Sequence, residues 1–294
     1  MTFLNLLSQP SKLILDGATG TELNRRGVDT GLPLWSANAL LTDHDSQILQ
    51  QIHEDYLRAG ADIITTNTFR THRRALAPSG NASRALELTS RAVTIARGAI
   101  INSKSEASKF IAGSISTLED CYRPDLVPSD EELRAEHAER IDHLAQCGVD
   151  LILIETINTI REAAVMAKLA VATGLPLVVS FVCNREGRIL SGETLTEAAN
   201  QLLPLDVSAL GVNCGPTADL VKPLAELRQA CGAAFPLIAY GNIGYADDEV
   251  GWINTDSEDP KNYCEHAAHW DVKIVGGCCG TTPEHIRQLK LALK

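Results

Sequence analysis

The 294-residue sequence predicts a single (β/α)8 barrel spanning residues 1–294. Three observations support this. Short apolar, β-branched runs recur along the chain, amphipathic stretches ending at glycine separate them, and residues that carry chemistry collect just after the runs.

The runs are KLILDG (12–17), ADIITTN (61–67), KFIAGSI (109–115), DLILIET (150–156), PLVVSFV (176–182), VSALGVN (207–213), FPLIAYGN (235–242) and VKIVGG (272–277). Most are continuous rather than alternating, as parallel strands covered on both faces require. Helical patterns lie between them. Residues 42–60 offer Thr42 or Asp43 as N-cap, place Ile48, Ile52, Tyr56 and Ala59 along one side, and stop at Gly60. Residues 128–148 begin with the Ser129/Glu132 spacing of a capping box. Residues 161–174 and 217–232 end at glycine, and the last helix carries Pro283 in its first turn. An open doubly wound sheet is the structural alternative, but DGATGTEL after the first strand does not match GxGxxG and no GK[ST] occurs. No linker or low-complexity tract divides the chain.

Composition narrows the function. A net charge of −11 argues against sequence-independent nucleic-acid binding, which needs lysine and arginine on phosphates. No apolar run approaches a membrane span, and MTFLNLLSQPSK lacks a basic, cleavable leader, so a cytoplasmic protein is expected. Eight cysteines in a chain this long are dilute and irregularly spaced, as reduced thiols rather than a disulfide framework. Cys121, Cys147, Cys183, Cys231 and Cys264 read as buried or incidental, and the eight histidines as non-ligands.

A barrel places its site at the carboxyl ends of the strands. Those ends carry Asp16 and Gly17; Asn67, Thr68 and Phe69; Gly113 and Ser114; Glu155 and Thr156; Asn213 and Cys214; Asn242; and Cys278 and Cys279. Three cysteines thus meet at one rim. Three thiolates make a soft site that leaves one position open in zinc's tetrahedron. Adjacent residues of a strand face opposite ways, so Cys278 and Cys279 share one ion only if the glycine-flanked backbone turns sharply. A vicinal redox pair or two packed thiols remains the alternative reading of the motif.

DGATGTEL, NTF, the ET after the fourth strand, GVNC and GGCCGTTPEHI together resemble the homocysteine S-methyltransferase family over roughly residues 12–292. The resemblance implies a zinc-bearing barrel that methylates the homocysteine sulfur to give methionine. By position it implies Cys214, Cys278 and Cys279 as Zn2+ ligands, Asp16 and Gly17 as homocysteine contacts and Glu155 as the acid that holds the substrate's amino group. It also implies Asn213 as a shaper of the pocket and Asn242 as a fourth ligand when substrate is absent. Asn67 and Thr68 join the expected substrate contacts, and backbone N–H groups of residues 17–21 are expected at the substrate carboxylate.

Three positions depart from the family pattern. Gly241 stands where many donor-using members have proline and Tyr245 where they have an acid, and Thr156 replaces the aromatic of betaine-type enzymes. The chain also stops without the long C-terminal extension of the betaine-type group. The expected donor is therefore a sulfonium such as S-methylmethionine, near Phe69, Tyr240, Tyr245, Trp252, Asp247, Asp248 and Glu249. The alternative function is a partner-dependent subunit presenting homocysteine to a corrinoid protein; a monomer or small homo-oligomer is expected.

Overall fold

A computed structural model describes residues 1–105, 107–247 and 251–293, and the side chains of these except 246–247 and 251–252. Parallel strands β1 (Leu13–Ile14), β2 (Ile63–Thr65), β3 (Phe110–Ile115), β4 (Leu151–Ile157), β5 (Leu177–Phe181), β6 (Ala209–Pro216) and β7 (Leu237–Asn242) fall on the first seven predicted runs. An antiparallel hairpin follows, β8 (Gly244–Asp247) and β9 (Gly251–Asn254), and then β10 (Ile274–Gly277) on the eighth run. The sheet order is β1-β10-β7-β6-β5-β4-β3-β2. A parallel bridge between Leu15 and Ile63, with Asp16 N–H donating to Ile63 O at 3.0 Å, joins its two edges and closes the barrel.

Closure explains why the strands read as continuous apolar runs. Leu13, Leu15, Ile63, Leu151, Leu153 and Ile238 fill the barrel interior, while Ile14, Ile64, Ile152 and Val179 pack outward against the helices. Both periodic faces of each strand are buried. The short helix Phe3–Leu7, absent from the sequence reading, plugs the amino-terminal end, with Phe3 edge-on to Phe110 at 5.7 Å between ring centroids. The open end is therefore the carboxyl end.

Helix Asp43–Ala59 is capped by Thr42, whose hydroxyl accepts from Asp45 N–H, and ends at Gly60 in the left-handed region. Asp130–Cys147 has the complete Ser129/Glu132 capping box. Ile160–Val171 is capped by Thr159, whose hydroxyl accepts from Glu162 N–H, and the chain leaves it through a turn in which Gly174 N–H donates to Val171 O at 3.1 Å with Gly174 at φ 73°. Residues 217–232 start as a 3-10 turn, Thr217–Leu220, and continue as Val221–Cys231. Pro283 is the first residue of Pro283–Ala292. Helices Ala85–Ser103, Leu195–Leu202 and Pro260–Ala268 complete the set around the barrel. Among the described residues, no helix is long and apolar enough to cross a membrane.

Candidate active site

The carboxyl end holds a cavity of about 670 Å³, lined by Asp16, Gly17, Asn67, Glu155, Cys214, Asn242, Cys278 and Cys279 among others. Two strands are bent to build it. A regular β6 would send Asn213 into the barrel and Cys214 outward, since Ala209 of the same strand lies inside. Instead Cys214 takes φ 60°, and the β6–β7 register shifts between Asn213 and Pro216. That bulge turns its sulfur toward the mouth. Strand β4 repeats the device: Thr156 takes φ 58°, with a register shift between Ile154 and Ile157.

Beyond β10 the chain turns at once. Cys278 N–H donates to Gly241 O at 2.8 Å, Cys279 N–H donates to Asn242 Oδ1 at 3.0 Å, and Gly280 takes φ 83°, a conformation that suits glycine. The sulfurs of Cys214, Cys278 and Cys279 all lie within 4.8 Å of one another, with Cys214 and Cys279 at 3.8 Å. A tetrahedral ion with Zn–S bonds of about 2.3 Å spaces its sulfurs about 3.8 Å apart, so the donor set fits such an ion. Its electrostatics point the same way. Hydrogen bonds from the thiols of Cys278 and Cys279 and from the Tyr122 hydroxyl push Cys214 well below the usual thiol range, while donating to Cys214, together with burial, drives the other two well up. Left to themselves the three groups thus favour one thiolate and two thiols, and ionising all three this close together takes a cation.

Asn242 braces this floor. Its Nδ2 donates to Cys214 O at 2.9 Å while Oδ1 accepts from Cys279 N–H, so one side chain ties both cysteine-bearing segments together.

The acidic side of the cavity is buried. Glu155 accepts from the Ser114 hydroxyl and, at 3.0 Å, from the Tyr240 hydroxyl. Burial pushes it up to about 7, against the pull of those two donors. Asp16 accepts from Thr65 N–H and Thr65 Oγ1, both at 2.8 Å; burial, with the Glu155 charge adding to it, pushes it up to about 8. Gly17 has no room for a side chain: a Cβ would lie 2.7 Å from the Tyr56 ring and 2.9 Å from Thr281 Oγ1. Asn67 lines the cavity and donates to Ser36 O at 2.8 Å. Ala18 N–H, in the loop expected to receive a carboxylate, donates to Thr281 Oγ1 at 3.1 Å.

Two expected contacts sit behind the wall. Asn213 is fully buried, accepting from Thr156 N–H (3.1 Å) and Ser180 Oγ (2.8 Å) and donating to Thr156 Oγ1 (2.8 Å). It supports the residue next to Glu155 rather than lining the cavity. Thr68 donates to Ser114 O at 2.7 Å, pinning the end of β2 to β3. Phe69, Tyr240 and Tyr245 line the cavity. Asp248 and Glu249 lie outside the described residues, as do the side chains of Asp247 and Trp252.

Tyr122, Thr65 and Trp35 carry parts of the site that the sequence did not mark, and Ser114, marked only as a strand end, holds Glu155. Tyr122 comes from the segment after β3 and brings its hydroxyl to 3.0 Å from Cys214 Sγ. Trp35 packs edge-on against Phe69 at 5.6 Å on the cavity wall.

The homocysteine S-methyltransferase family model matches residues 13–293. The chain belongs to that family. It is a methyltransferase of this class, with homocysteine as methyl acceptor. The homocysteine S-methyltransferase of Escherichia coli K12 is 30% identical, covering 97% of this chain and 96% of that protein. YbgG of Bacillus subtilis 168, a homocysteine S-methyltransferase, is 29% identical over 94% of this chain and 93% of its own length. The metallated form of the Escherichia coli homocysteine methyltransferase MmuM superposes with a TM-score of 0.84 at 28% identity, covering 98% of each chain. Its apo form gives 0.75 at 25% identity over the same coverage.

Proposed function

We propose that this protein methylates homocysteine to methionine in a zinc-dependent reaction, with S-methylmethionine as donor. The observation that carries the reading is the convergence of Cys214, Cys278 and Cys279 within 4.8 Å at the floor of a cavity whose wall holds Glu155 and Asp16. Those three cysteines would hold the ion, with Asn242 Oδ1 as a fourth partner before substrate arrives. Bound zinc supplies Lewis acidity that keeps a coordinated thiol ionised near neutral pH.

The remaining residues orient the acceptor. Glu155 and Asp16 receive its ammonium, whose charge offsets their burial and favours their ionised forms. Ser114 and Tyr240 fix the Glu155 carboxylate, and Thr65 fixes that of Asp16. Asn67 and the tight backbone at Gly17 close the far side. Holding the two sulfurs and the methyl carbon in line is worth up to about 7–11 kcal/mol in well-oriented cases.

In the transfer, the acceptor sulfur forms a bond to the methyl carbon as the donor's S–CH3 bond breaks, and that electron pair returns to the donor sulfur. The leaving group is a neutral thioether and needs no proton. The outer wall suits a cationic sulfonium that is also an amino acid: Trp35 and Phe69 offer aromatic faces, Asp120 and Asp219 negative charge, and Arg70 and Arg185, the latter stacked on the Tyr245 ring at 5.0 Å, cations for a carboxylate. A cytosolic location rests on the thiols, since all eight cysteines are free and the site requires reduced ones.

The test is a donor panel with purified, zinc-loaded protein and homocysteine. Methionine should form with S-methylmethionine and far more slowly with S-adenosylmethionine, betaine or methylfolate. Turnover that appears only after a corrinoid protein is added would replace this reading with the partner-dependent one.

A further inference from the structure

The segment 116–122, between β3 and helix Asp130–Cys147, is anchored by buried charge. Arg140 donates to Ser116 O at 2.6 Å and to Ser116 Oγ at 3.1 Å. Leu118 N–H donates to Glu162 Oε1 at 2.9 Å, and His137 Nε2 reaches the same oxygen at 2.9 Å. His137 and Glu162 are both fully buried. Farther along, Asn158 Nδ2 donates to Asp120 O at 3.2 Å, and Tyr122 N–H closes a turn onto Asp120 Oδ1 at 2.9 Å.

Burial holds His137 below the usual imidazole range, so it meets Glu162 as a neutral partner, and a loop held by the buried Arg140 and Glu162 is held firmly only through well-formed contacts. This loop lines the cavity with Asp120, Cys121 and Tyr122, and it brings the Tyr122 hydroxyl to 3.0 Å from Cys214 Sγ. A phenol is protonated near neutral pH and a metal-bound thiolate can only accept, so the hydroxyl is the donor.

We propose that Tyr122 is a positioning residue of the metal centre: its hydroxyl donates to the Cys214 sulfur, fixing that ligand's orientation and drawing electron density from it. The loop anchored by Arg140, His137 and Glu162 exists to hold that hydroxyl in place. The proposal rests on the reading of the three cysteines as metal ligands. Its consequence is electronic as well as steric. A donated hydrogen bond lowers the energy of the sulfur lone pairs, moderating the charge that three thiolates concentrate at the ion.

The test compares cobalt(II)-substituted wild type with Tyr122→Phe and Tyr122→Leu. Tyr122 is 52% exposed, so both variants are expected to fold. In both, the thiolate-to-cobalt charge-transfer band should move to lower energy. Metal affinity, measured by chelator competition, should fall about 10–100-fold, the usual effect of removing a hydrogen bond to a metal ligand. An unshifted band with affinity within about twofold of wild type overturns the proposal, as does a shift in Leu but not in Phe, which would assign the effect to ring packing. Loss of one ligand from the cobalt d–d spectrum in Phe also overturns it, because the phenol would then be a ligand itself. A wild-type protein with no thiolate charge-transfer band would instead overturn the three-cysteine reading.

Discussion

Replacing Asn213 with alanine isolates the support behind the active site. Asn213 makes three hydrogen bonds, two of them to Thr156, and is fully buried. Each is worth about 0.5–1.5 kcal/mol net, so the substitution should cost roughly 2–4 kcal/mol, with the upper end favoured because Thr156 N–H is left buried without a partner. Thr156 also sits at φ 58°, where a β-branched residue stores strain of about 1–3 kcal/mol that its surroundings must offset. Equilibrium urea unfolding of metal-free Asn213→Ala, Thr156→Gly and the double variant measures this. Glycine tolerates the left-handed region and removes one of the orphaned partners, so the double variant should be more stable than the sum of the single effects, by about 0.5–3 kcal/mol of coupling. Because Asn213 holds Thr156 and Glu155 directly precedes it, the KM for homocysteine should rise in Asn213→Ala. A loss under about 0.5 kcal/mol, or strict additivity, would refute the claim that Asn213 stabilises the bent end of β4.

Further outcomes follow from the same geometry. Glu155 and Asp16 titrate in the fold near 7 and 8, above their unfolded values, so the native chain binds more protons in between; stability of the ligand-free protein should be greatest below about pH 4 in this contribution and decline as pH rises toward about 8. Thermal denaturation across that window checks the sign, and homocysteine should lessen the decline by bringing an ammonium. Glu155→Gln should raise the KM for homocysteine well over tenfold while leaving metal content unchanged, read by steady-state kinetics and metal analysis. Gly17→Ala places a methyl 2.7 Å from the Tyr56 ring and should lose about 1–3 kcal/mol together with homocysteine affinity, measured by urea unfolding and calorimetry. Cys214→Ala should fold yet fail to retain zinc after dialysis against a weak chelator.

The barrel was legible because its strands are buried on both faces, so most of the eight read as continuous apolar runs. Helices with explicit caps were equally plain: Thr42 with Gly60, and Ser129 with Glu132. Helix Ala85–Ser103 escaped because it ends at Lys104 in the left-handed region, at φ 49°, without a glycine to mark the stop. The hairpin Gly244–Asp247 and Gly251–Asn254 escaped because its strands are short and its sequence runs through acids and glycines.

At the site, the cysteines and acids could be placed from strand ends alone, and they do gather at one mouth. Alternation could not reveal which residues bulge, so Asn213 was expected at the pocket and instead lies one layer below it. Tyr122 left no trace in the sequence at all: it meets Cys214 across 92 residues, from a loop whose path is set by buried Arg140, His137 and Glu162.

X-ray absorption of purified, zinc-reconstituted protein, recorded with and without homocysteine, bears most directly on the whole scheme. One zinc per chain with three sulfur neighbours, rising to four when homocysteine is added, is the expected result. A sulfur count that stays fixed on adding homocysteine, or zinc that binds elsewhere in the Cys214→Ala variant with unchanged stoichiometry, would contradict it.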